Sequence, residues 1–446
     1  MQRTATEKHV PESGRHGGLI FDEMSIQRDL QLDSRDGHSR LSGTVDLGRQ
    51  GNDLDKFFGV DESEGKNNNS VLASHVLQME FLGFTGFVFP FAHFPTVGVQ
   101  AHHLVLLFWQ AVSMLYEYGF YVHFCLFDGA SANRSFLKLL FHPQKPLETD
   151  MVIDNLHIFG ENIILGMDIK HVIKRLRNNI YNSGTTSLCT RYLHWQEFPI
   201  IWDHWRCAFN WDITCNPEMT RLHHKLTKEH IYLTSVSKMR NHLAEECLNS
   251  AMWSLMKCYS ESLDEQRRKE LTGSLQFLAI TSDLICFVNN DAPVLHLGDP
   301  RFSVLEITIS FFSNWEKDIL ARADIDTAIK NSYLMSHETR EDILFSVTSL
   351  REIMKKRITS GSSVMASRLN SDIVENFFSQ QRSQKHGANT NPTYLQYSKG
   401  VNSVLLGRSS SKRSKKSNAG LKGAAPYNVS CHQPLHRRVK EAQTSM

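Results

Sequence analysis

Short, mostly apolar runs occur within the first 180 residues of the chain. Residues 19–21 form one run, which ends at Asp22, and residues 120–127 form a longer one, which is interrupted by His123 and ends at Asp128. A run with so little polar interruption is typical of a strand whose two faces are both covered. The segment 162–167 predicts a further strand of this kind. We expect these strands to form the middle of a sheet, with the first two stopping at their aspartates.

Other stretches show the periodicities of hairpins and helices. Residues 25–48 alternate apolar and polar positions around a Ser-Arg-Asp-Gly turn at 34–37, which predicts a hairpin. Residues 71–91 predict a second strand pair. Helical spacing of apolar positions follows in three places, 104–118, 131–140 and 169–180. The pattern therefore predicts an α/β fold in the order βββ, α, β, α, β, α, with a mixed sheet flanked by helices.

The pattern changes after residue 180. Residues 181–360 contain long helical segments without clear strands, including 220–259 and 263–289, and predict a large all-α insertion. A compact helix returns at 368–384. The predicted organisation is a disordered start at 1–18, the sheet domain at 19–180 with a surface loop at 53–70, the insertion at 181–360, the second part of the sheet domain at 361–400, and a disordered basic tail at 401–446.

Positive charge is concentrated at the end of the chain. Residues 408–446 hold nine lysines and arginines against one acid, whereas the rest of the chain holds 40 basic and 46 acidic side chains. The folded part is therefore not a broadly basic nucleic-acid coat, and any DNA contact there would be a local groove. The Ser/Lys/Arg-rich stretch at 408–416 predicts nuclear import or nonspecific DNA contact, with a solubilising tail as the alternative.

Cysteine spacing and hydropathy exclude several classes. The eight cysteines form no CxxC pair and no zinc-finger spacing, so we expect reduced thiols rather than disulfides or a structural zinc site. The most apolar run, 81–99, is interrupted by glycine, proline and histidine, and the first 20 residues lack an apolar signal core. We expect neither a membrane span nor secretion.

Three acidic residues are candidates for chemistry. Asp22 and Asp128 each follow an apolar strand, and the carboxyl ends of strands are where sites form in α/β sheets. If the two strands are parallel neighbours, the carboxylates could share a divalent cation such as Mg²⁺; the alternative is that each aspartate only starts a turn. Glu375 lies outside the apolar stripe of its helix, on the face of Asp372, where the alternative is a solvated acid.

Four segments resemble the P-element transposase family, which includes members with a THAP zinc-binding domain. In chain order they are Phe-Asp-Glu-Met-Ser-Ile at 21–26, Phe-Asp-Gly-Ala-Ser-Ala-Asn-Arg at 127–134, Asp-Ile-Lys-His-Val-Ile-Lys-Arg-Leu-Arg-Asn-Asn at 168–179, and Leu-Asn-Ser-Asp-Ile-Val-Glu-Asn-Phe-Phe-Ser-Gln at 369–380. Residues 391–397 are similar to the family's closing motif. The resemblance implies an RNase H-like fold and a DDE site, in which Asp22, Asp128 and Glu375 hold two Mg²⁺ ions for in-line phosphodiester displacement.

The resemblance also implies a GTP-binding insertion. It would place Lys174 at the nucleotide phosphates, Asp372 at the nucleotide's metal and Asn289 at the guanine, although the chain has no GxxxxGK[ST] loop. Cys286 stands where the family has an aspartate that reads guanine. A thiol cannot accept the paired guanine N–H bonds as a carboxylate does, which argues against GTP specificity.

The expected function is metal-dependent DNA cleavage and strand transfer by a nuclear, homo-oligomeric protein acting on transposon ends and target DNA. The alternative is a catalytically idle remnant that serves as a nuclear DNA- or protein-binding module. Retention of all three acids favours the first, whereas Cys286 and the expected lack of an amino-terminal recognition domain favour the second. A third reading, an RNase H-like exonuclease, fits the acids but not the long helical insertion.

Overall fold

A six-stranded mixed sheet is the centre of the molecule. The computed structural model describes residues 1–35, 38–57, 71–141, 151–216, 220–384 and 391–407. The strands are β1 (His16–Ser25), β2 (Gln31–Arg35), β3 (His38–Ser42), β4 (His75–Gly83), β5 (Val88–Thr96), β6 (Tyr121–Phe127), β7 (Val152–Asp154), β8 (Asn162–Met167), β9 (Leu193–Trp195) and β10 (Phe198–Ile200).

Helices lie before, within and after the insertion. Those before residue 182 are α1 (Gln2–Glu7), α2 (Gly48–Phe57), α3 (Ala101–Glu117), α4 (Ser131–Leu140) and α5 (Ile169–Tyr181). They are followed by α6 (Trp202–Cys215), α7 (Lys228–Ile231), α8 (Asn241–Leu248), α9 (Ser250–Glu261), α10 (Glu265–Glu270), α11 (Thr272–Val288), α12 (Phe302–Ala321), α13 (Thr327–Lys330), α14 (His337–Thr359), α15 (Asp372–Ser383) and α16 (Tyr394–Gly407).

The sheet runs in the order β5-β4-β1-β6-β8-β7. β1, β6 and β8 are mutually parallel neighbours, and β4, β5 and β7 run antiparallel to their neighbours. The start of β1 requires glycine, because a Cβ on Gly18 would lie 2.3 Å from the ring of Phe124. The apolar strands at 120–127 and 162–167, and the mixed sheet flanked by helices, are confirmed.

The first strand continues past the aspartate at which it was predicted to stop. β1 extends to Ser25, because β4 pairs with it along its whole length as far as His75. Its parallel pairing with β6 ends earlier, at Ile20 and Leu126. Asp22 therefore lies inside a strand, but beyond the part of that strand that β6 covers.

The predicted disorder of residues 1–18 is wrong. α1 packs Ala5 completely into the core, and the side chain of Gln2 donates to the carbonyl of Tyr118 at 3.2 Å. At the other end, α16 reaches Gly407, so the tail predicted from residue 401 begins as a helix. Residues 408–446 lie outside the described ranges.

The predicted hairpin in 25–48 is confirmed, since β2 and β3 pair from Gln31 with Ser42 onward. Its turn residues 36 and 37 lie outside the described part of the chain. The predicted loop at 53–70 begins instead within α2, which ends at Phe57, and its remainder, 58–70, is not described.

The predicted insertion differs from the structure in two respects. It contains the β9–β10 hairpin, where the short strands gave no visible alternation. Its last helix, α14, also belongs to the sheet domain, because Ser349 Oγ donates to the carbonyl of Leu165 at 2.8 Å and Lys356 Nζ to that of Asn162 at 2.6 Å. The boundary predicted at residue 360 therefore lies before α14, not after it.

Two expectations about the whole chain can be compared with the described residues. The seven cysteines within the described ranges are all free thiols. Among the helices of the described ranges, none has both the length and the apolar character needed to cross a membrane.

Candidate functional site

The strand register brings two aspartates level with each other. Ile20 pairs with Leu126, so Asp22 and Asp128 each lie two residues beyond this pair at the carboxyl edge of the parallel strands. Asp128 Oδ1 accepts from the backbone N–H of Ala130 at 2.9 Å and from Asn133 Nδ2 at 2.7 Å. The turn-forming role considered for Asp128 thus engages one oxygen of its carboxylate.

The pKa of Asp22 shows that this residue, Asp128 and Glu375 form one group of interacting charges. Burial, together with the charge of Asp128, raises the pKa of Asp22 from its ordinary value of 3.8 to about 7, and the charge of Glu375 acts in the same direction. The hydrogen bond from the Glu23 N–H to Asp22 Oδ1, at 2.7 Å, opposes this shift. Carboxylates that lie this close to one another favour a cation between them.

Glu375 is carried to this edge by α15. The helix packs its buried stripe, Ile373, Val374, Phe377 and Phe378, against the sheet at β1 and β4. Glu375 lies outside that stripe, as the sequence predicted, and its Oε1 accepts from His171 Nε2 at 2.9 Å. Asn241 Nδ2, at the start of α8, lies 3.4 Å from the same oxygen, so the insertion also reaches this glutamate.

His171 stands between two of the acids. Its Nδ1 lies 4.0 Å from Asp128 Oδ2 while its Nε2 donates to Glu375. Burial disfavours the charged ring, but the Glu375 hydrogen bond and the charge of Asp168 outweigh it and raise the pKa of His171 to about 9. At neutral pH the ring is therefore an imidazolium. This histidine lies within the motif at 168–179, but the sequence pattern indicated no role for it.

Lys174 lies at the middle of α5 and belongs to the same group. Burial lowers the pKa of its ammonium, and the charges that oppose this shift are those of Glu375, Asp168 and Asp128. The structure therefore places Lys174 beside the candidate catalytic acids. Asn289, the residue that the resemblance assigned to the same nucleotide, donates from its Nδ2 to Glu245 Oε2 at 3.1 Å.

A second network runs next to the acids. The ammonium of Lys170 is paired with the carboxylate of Asp372, both deeply buried, and Asp372 raises the pKa of Lys170 against the effect of burial. Glu245, on α8, also acts on Lys170 and accepts from Asn289 Nδ2 at 3.1 Å. The structure thus joins Asp372 and Asn289 through Lys170 and Glu245, two residues that sequence reasoning missed.

Asp168 ties this network to the start of α5. Its Oδ1 caps the helix by accepting from the Lys170 N–H at 2.9 Å, and its Oδ2 accepts from the backbone and the hydroxyl of Ser371. Ser371 immediately precedes α15. One buried aspartate therefore fixes the start of α15, and with it Asp372 and Glu375, relative to α5.

The donor chemistry fits divalent cations that prefer oxygen. Asp22, Asp128 and Glu375 offer only carboxylate oxygens, the ligands that suit Mg²⁺, and they lie close enough for two of them to raise the pKa of the third. Within the described part of the chain, no three His, Cys, Asp or Glu side chains are placed so that they could hold one metal ion together. Glu375 Oε1 is hydrogen-bonded to His171 Nε2 instead.

Parts of the chain are similar in sequence to known proteins. Residues 2–141 match the family model described as TNP-like, RNase H N-terminal domain. Over 261 residues, 56% of this chain, the sequence is 24% identical to the Transposable element P transposase of Drosophila melanogaster. That match spans 31% of the relative, so the chain corresponds to about a third of its length.

A solved structure has the same fold. The Drosophila P element transposase strand transfer complex superposes with a TM-score of 0.64 at 18% identity, covering 90% of this chain and 78% of the solved chain. The RNase H-like fold with its helical region is therefore confirmed. The resemblance that the motifs predicted is confirmed with it: in sequence and in fold, this chain is similar to a P-element transposase.

Proposed function

We propose that the chain performs metal-dependent DNA cleavage and strand transfer at the carboxyl edge of its parallel strands. The observation that supports this most directly is the raised pKa of Asp22, caused by burial and by the neighbouring charges of Asp128 and Glu375. Such accumulated negative charge is suited to divalent cations and is unfavourable without them. The similar solved structure is named as a strand transfer complex, which supports DNA as the partner.

In this proposal Asp22, Asp128 and Glu375 would hold two divalent cations, which would activate the attacking oxygen and stabilise the leaving one. The chain's own residues position these acids. Ala130 and Asn133 hold one oxygen of Asp128, leaving Oδ2 for a ligand. His171 holds Glu375 and supplies positive charge between the acids.

The test is nicking and strand transfer on supercoiled plasmid with Mg²⁺ or Mn²⁺, comparing the native chain with Asp128→Ala and Glu375→Ala. We expect each variant to lose at least about 1,000-fold in rate, because residues that act as one unit each remove most of the catalysis. Glu161→Gln is the matched control, since this acid lies near His123, away from the three carboxylates. It should keep full activity.

Two results would contradict the proposal. Unchanged nicking in either alanine variant would remove the carboxylates from the reaction. A folded native chain that binds DNA but does not cut it with either metal would support the alternative of an idle DNA- or protein-binding module.

We also propose that a nucleotide binds beside the network around Asp372, with Lys174 at its phosphates and Asp372 at its metal, but without guanine selectivity. Cys286 is an exposed thiol on α11, and the Asn289 amide is engaged by Glu245. Thermal melting with GTP and with ATP tests this proposal. Equal upward shifts are expected, a shift with GTP alone would contradict the lack of selectivity, and no shift with either would contradict the site.

Nuclear location and self-association complete the proposal. The basic stretch 408–416 is the feature that supports nuclear import. A fluorescent fusion should be nuclear, and replacing the basic residues of 408–416 with glutamine should move it to the cytoplasm. Light scattering of the purified chain, alone and with DNA, should give a mass above that of one copy.

A further inference from the structure

A cluster of ion pairs lies at the start of α14, apart from the three candidate catalytic carboxylates. Its centre is Asp342, whose side chain is fully buried. Arg134 on α4 pairs with one carboxylate oxygen of Asp342, and Arg175 on α5 pairs with the other. A buried carboxylate held by two guanidinium groups joins three helices that surround the loop after β6.

Both arginines make second contacts that fix their directions. Arg134 Nη2 also donates to the carbonyl of Glu338 at 2.7 Å, so this guanidinium contacts the start of α14 at two residues. Arg175 Nη2 donates to the carbonyl of Gly129, the residue after Asp128. Arg175 therefore spans from Asp342 to the loop that carries the candidate metal ligand.

Gly129 is fitted to this guanidinium. A Cβ at position 129 would lie 2.8 Å from Arg175 Nη2 and 2.9 Å from its Cζ, so only glycine allows the group to lie this close. The next N–H along the chain, that of Ala130, donates to Asp128 Oδ1 at 2.9 Å. The carbonyl that Arg175 holds and the N–H that orients Asp128 thus belong to one and the same planar peptide group.

The same end of α14 is fixed to α5 by neutral contacts. Asn179 Nδ2 donates to Thr339 Oγ1 at 2.9 Å, and Asn179 Oδ1 accepts from the Ser336 N–H at 2.9 Å. These contacts dock α14 without Asp342. Loss of the Asp342 charge therefore need not release the helix, but it leaves Arg134 and Arg175 close together without the carboxylate between them.

We propose that Asp342 is a positioning residue, which acts through Arg175 on the Gly129 peptide and so fixes the direction of the Asp128 carboxylate. It ties α14, the helix that follows the insertion, to the metal-binding edge of the sheet. The inference rests on the proposed function only in treating Asp128 as a metal ligand; the contacts themselves stand without it. A charge-assisted bridge to a fully buried carboxylate loses its effect when one partner is removed.

The experiment compares Asp342→Asn with Arg340→Gln as a matched control. Arg340 lies on the same helix, is also nearly buried, and pairs with Glu316 on α12 at 3.0 Å, away from the Asp128 loop. We measure amide hydrogen exchange of residues 126–134, Mn²⁺ binding and, where cleavage is present, kcat and KM. Asp342→Asn should speed exchange of residues 129–134 at least about tenfold and weaken Mn²⁺ binding about tenfold.

A merely structural role predicts a different pattern. If Asp342 only stabilised the fold, both variants would lower the melting temperature and neither would change the loop selectively. Unchanged loop exchange in Asp342→Asn, or equal changes in Arg340→Gln, would overturn the proposal. Where cleavage is measurable, kcat should fall about tenfold in Asp342→Asn with KM nearly unchanged, because DNA contacts are not altered.

Arg175→Lys provides a second variant if Asp342→Asn does not fold. Lysine keeps the positive charge, but one ammonium cannot reproduce the fork that reaches both Asp342 and the Gly129 carbonyl. It should show the same faster loop exchange and weaker Mn²⁺ binding, and native exchange in this variant would overturn the proposal. Because exchange does not depend on cleavage, an inactive native chain would defeat the proposed function without deciding this one.

Discussion

Two buried histidines near opposite ends of the sheet have pKa values that are shifted in opposite directions. His171, among the acids at the carboxyl edge, has its pKa raised to about 9, whereas His123, within β6, has its pKa lowered to about 4. Burial disfavours the charged ring in both cases. At His171 the hydrogen bond with Glu375 and the charge of Asp168 reverse that effect; at His123 the charge of Lys356 reinforces it.

The surroundings of His123 are those of a structural residue. Its Nε2 shares a hydrogen bond with His16 Nδ1 at 2.8 Å, and the two rings stack with centroids 5.1 Å apart. Two rings that share one proton in this way cannot both be charged. The partner of a buried histidine, rather than its burial, therefore distinguishes a ring that serves a charged site from one that joins two strands.

Replacing each histidine with glutamine should separate activity from stability. His171→Gln should lower metal-dependent nicking by about 10–100-fold, the usual cost of losing a side chain that orients a metal ligand. Its stability should change less than its activity does. Plasmid nicking over a Mn²⁺ titration measures both the rate and the metal concentration that supports half of it.

His123→Gln provides the contrast. It loses the stack and the hydrogen bond with His16, so the free energy of unfolding should fall by about 1–2 kcal/mol in urea denaturation. Nicking per folded molecule should equal that of the native chain. If His123→Gln lost as much nicking as His171→Gln, the proposed distinction between a structural histidine and one that serves the charged site would be wrong.

The sequence predicted the elements of the sheet better than the contacts of the site. Mostly apolar runs located β6 and β8. The resemblance of the motifs proposed Asp22, Asp128 and Glu375 as a site, and the fold brings these three acids close to one another. The roles of His171 and Lys170 depend on which side of α5 faces α15, and periodicity within one helix does not contain that information. Asp342 was missed for the same reason, because its partners lie on α4 and α5.

The missed elements have local causes. α1 is six residues long and has one buried side chain, Ala5, so it gives almost no apolar period. β9 and β10 have three residues each, too few for alternation to be visible. α14 has a regular pattern, but its assignment to the sheet domain follows from contacts with β8 that only the folded chain reveals.

The pH dependence of stability should show the two histidines on opposite sides of neutrality. The ordinary pKa is 6.5, so the contribution of charged His171 is complete below pH 6.5 and is lost as the pH rises through about 9. Neutral His123 contributes above pH 6.5, and this contribution is lost as the pH falls through about 4. Each change should be about 2 kcal/mol.

Urea denaturation between pH 4 and pH 9.5 measures both changes. His123→Gln should remove part of the acid-side decrease, and His171→Gln part of the alkaline-side decrease. Proton resonances of the two rings provide an independent readout, with midpoints near 9 for His171 and near 4 for His123. Two midpoints near 6.5 would show that the local partners do not control the rings.

The smallest expected effect concerns Asp22, whose negative charge is unfavourable at the carboxyl edge of the parallel strands. Since its pKa is raised from 3.8 to about 7, the folded chain is destabilised as the pH rises through this interval and Asp22 ionises. Asp22→Asn removes this charge, so at pH 8 without metal it should be more stable than the native chain by about 1 kcal/mol. Below pH 4 the difference should disappear, because the native carboxyl is then protonated in both states.

Metal ions should reverse this order. Added Mn²⁺ should raise the melting temperature of the native chain more than that of Asp22→Asn, because the amide is a weaker ligand than a carboxylate. Glu375→Gln serves as the control, since it loses a charge-assisted bond to His171 and should be less stable than the native chain at pH 8. Asp22→Asn could instead be destabilised at pH 8 as strongly as Glu375→Gln. That result would show that Asp22 is a partner of His171 rather than an acid held against the charges of Asp128 and Glu375. The contrast between the two ends of the sheet would then rest on His171 alone.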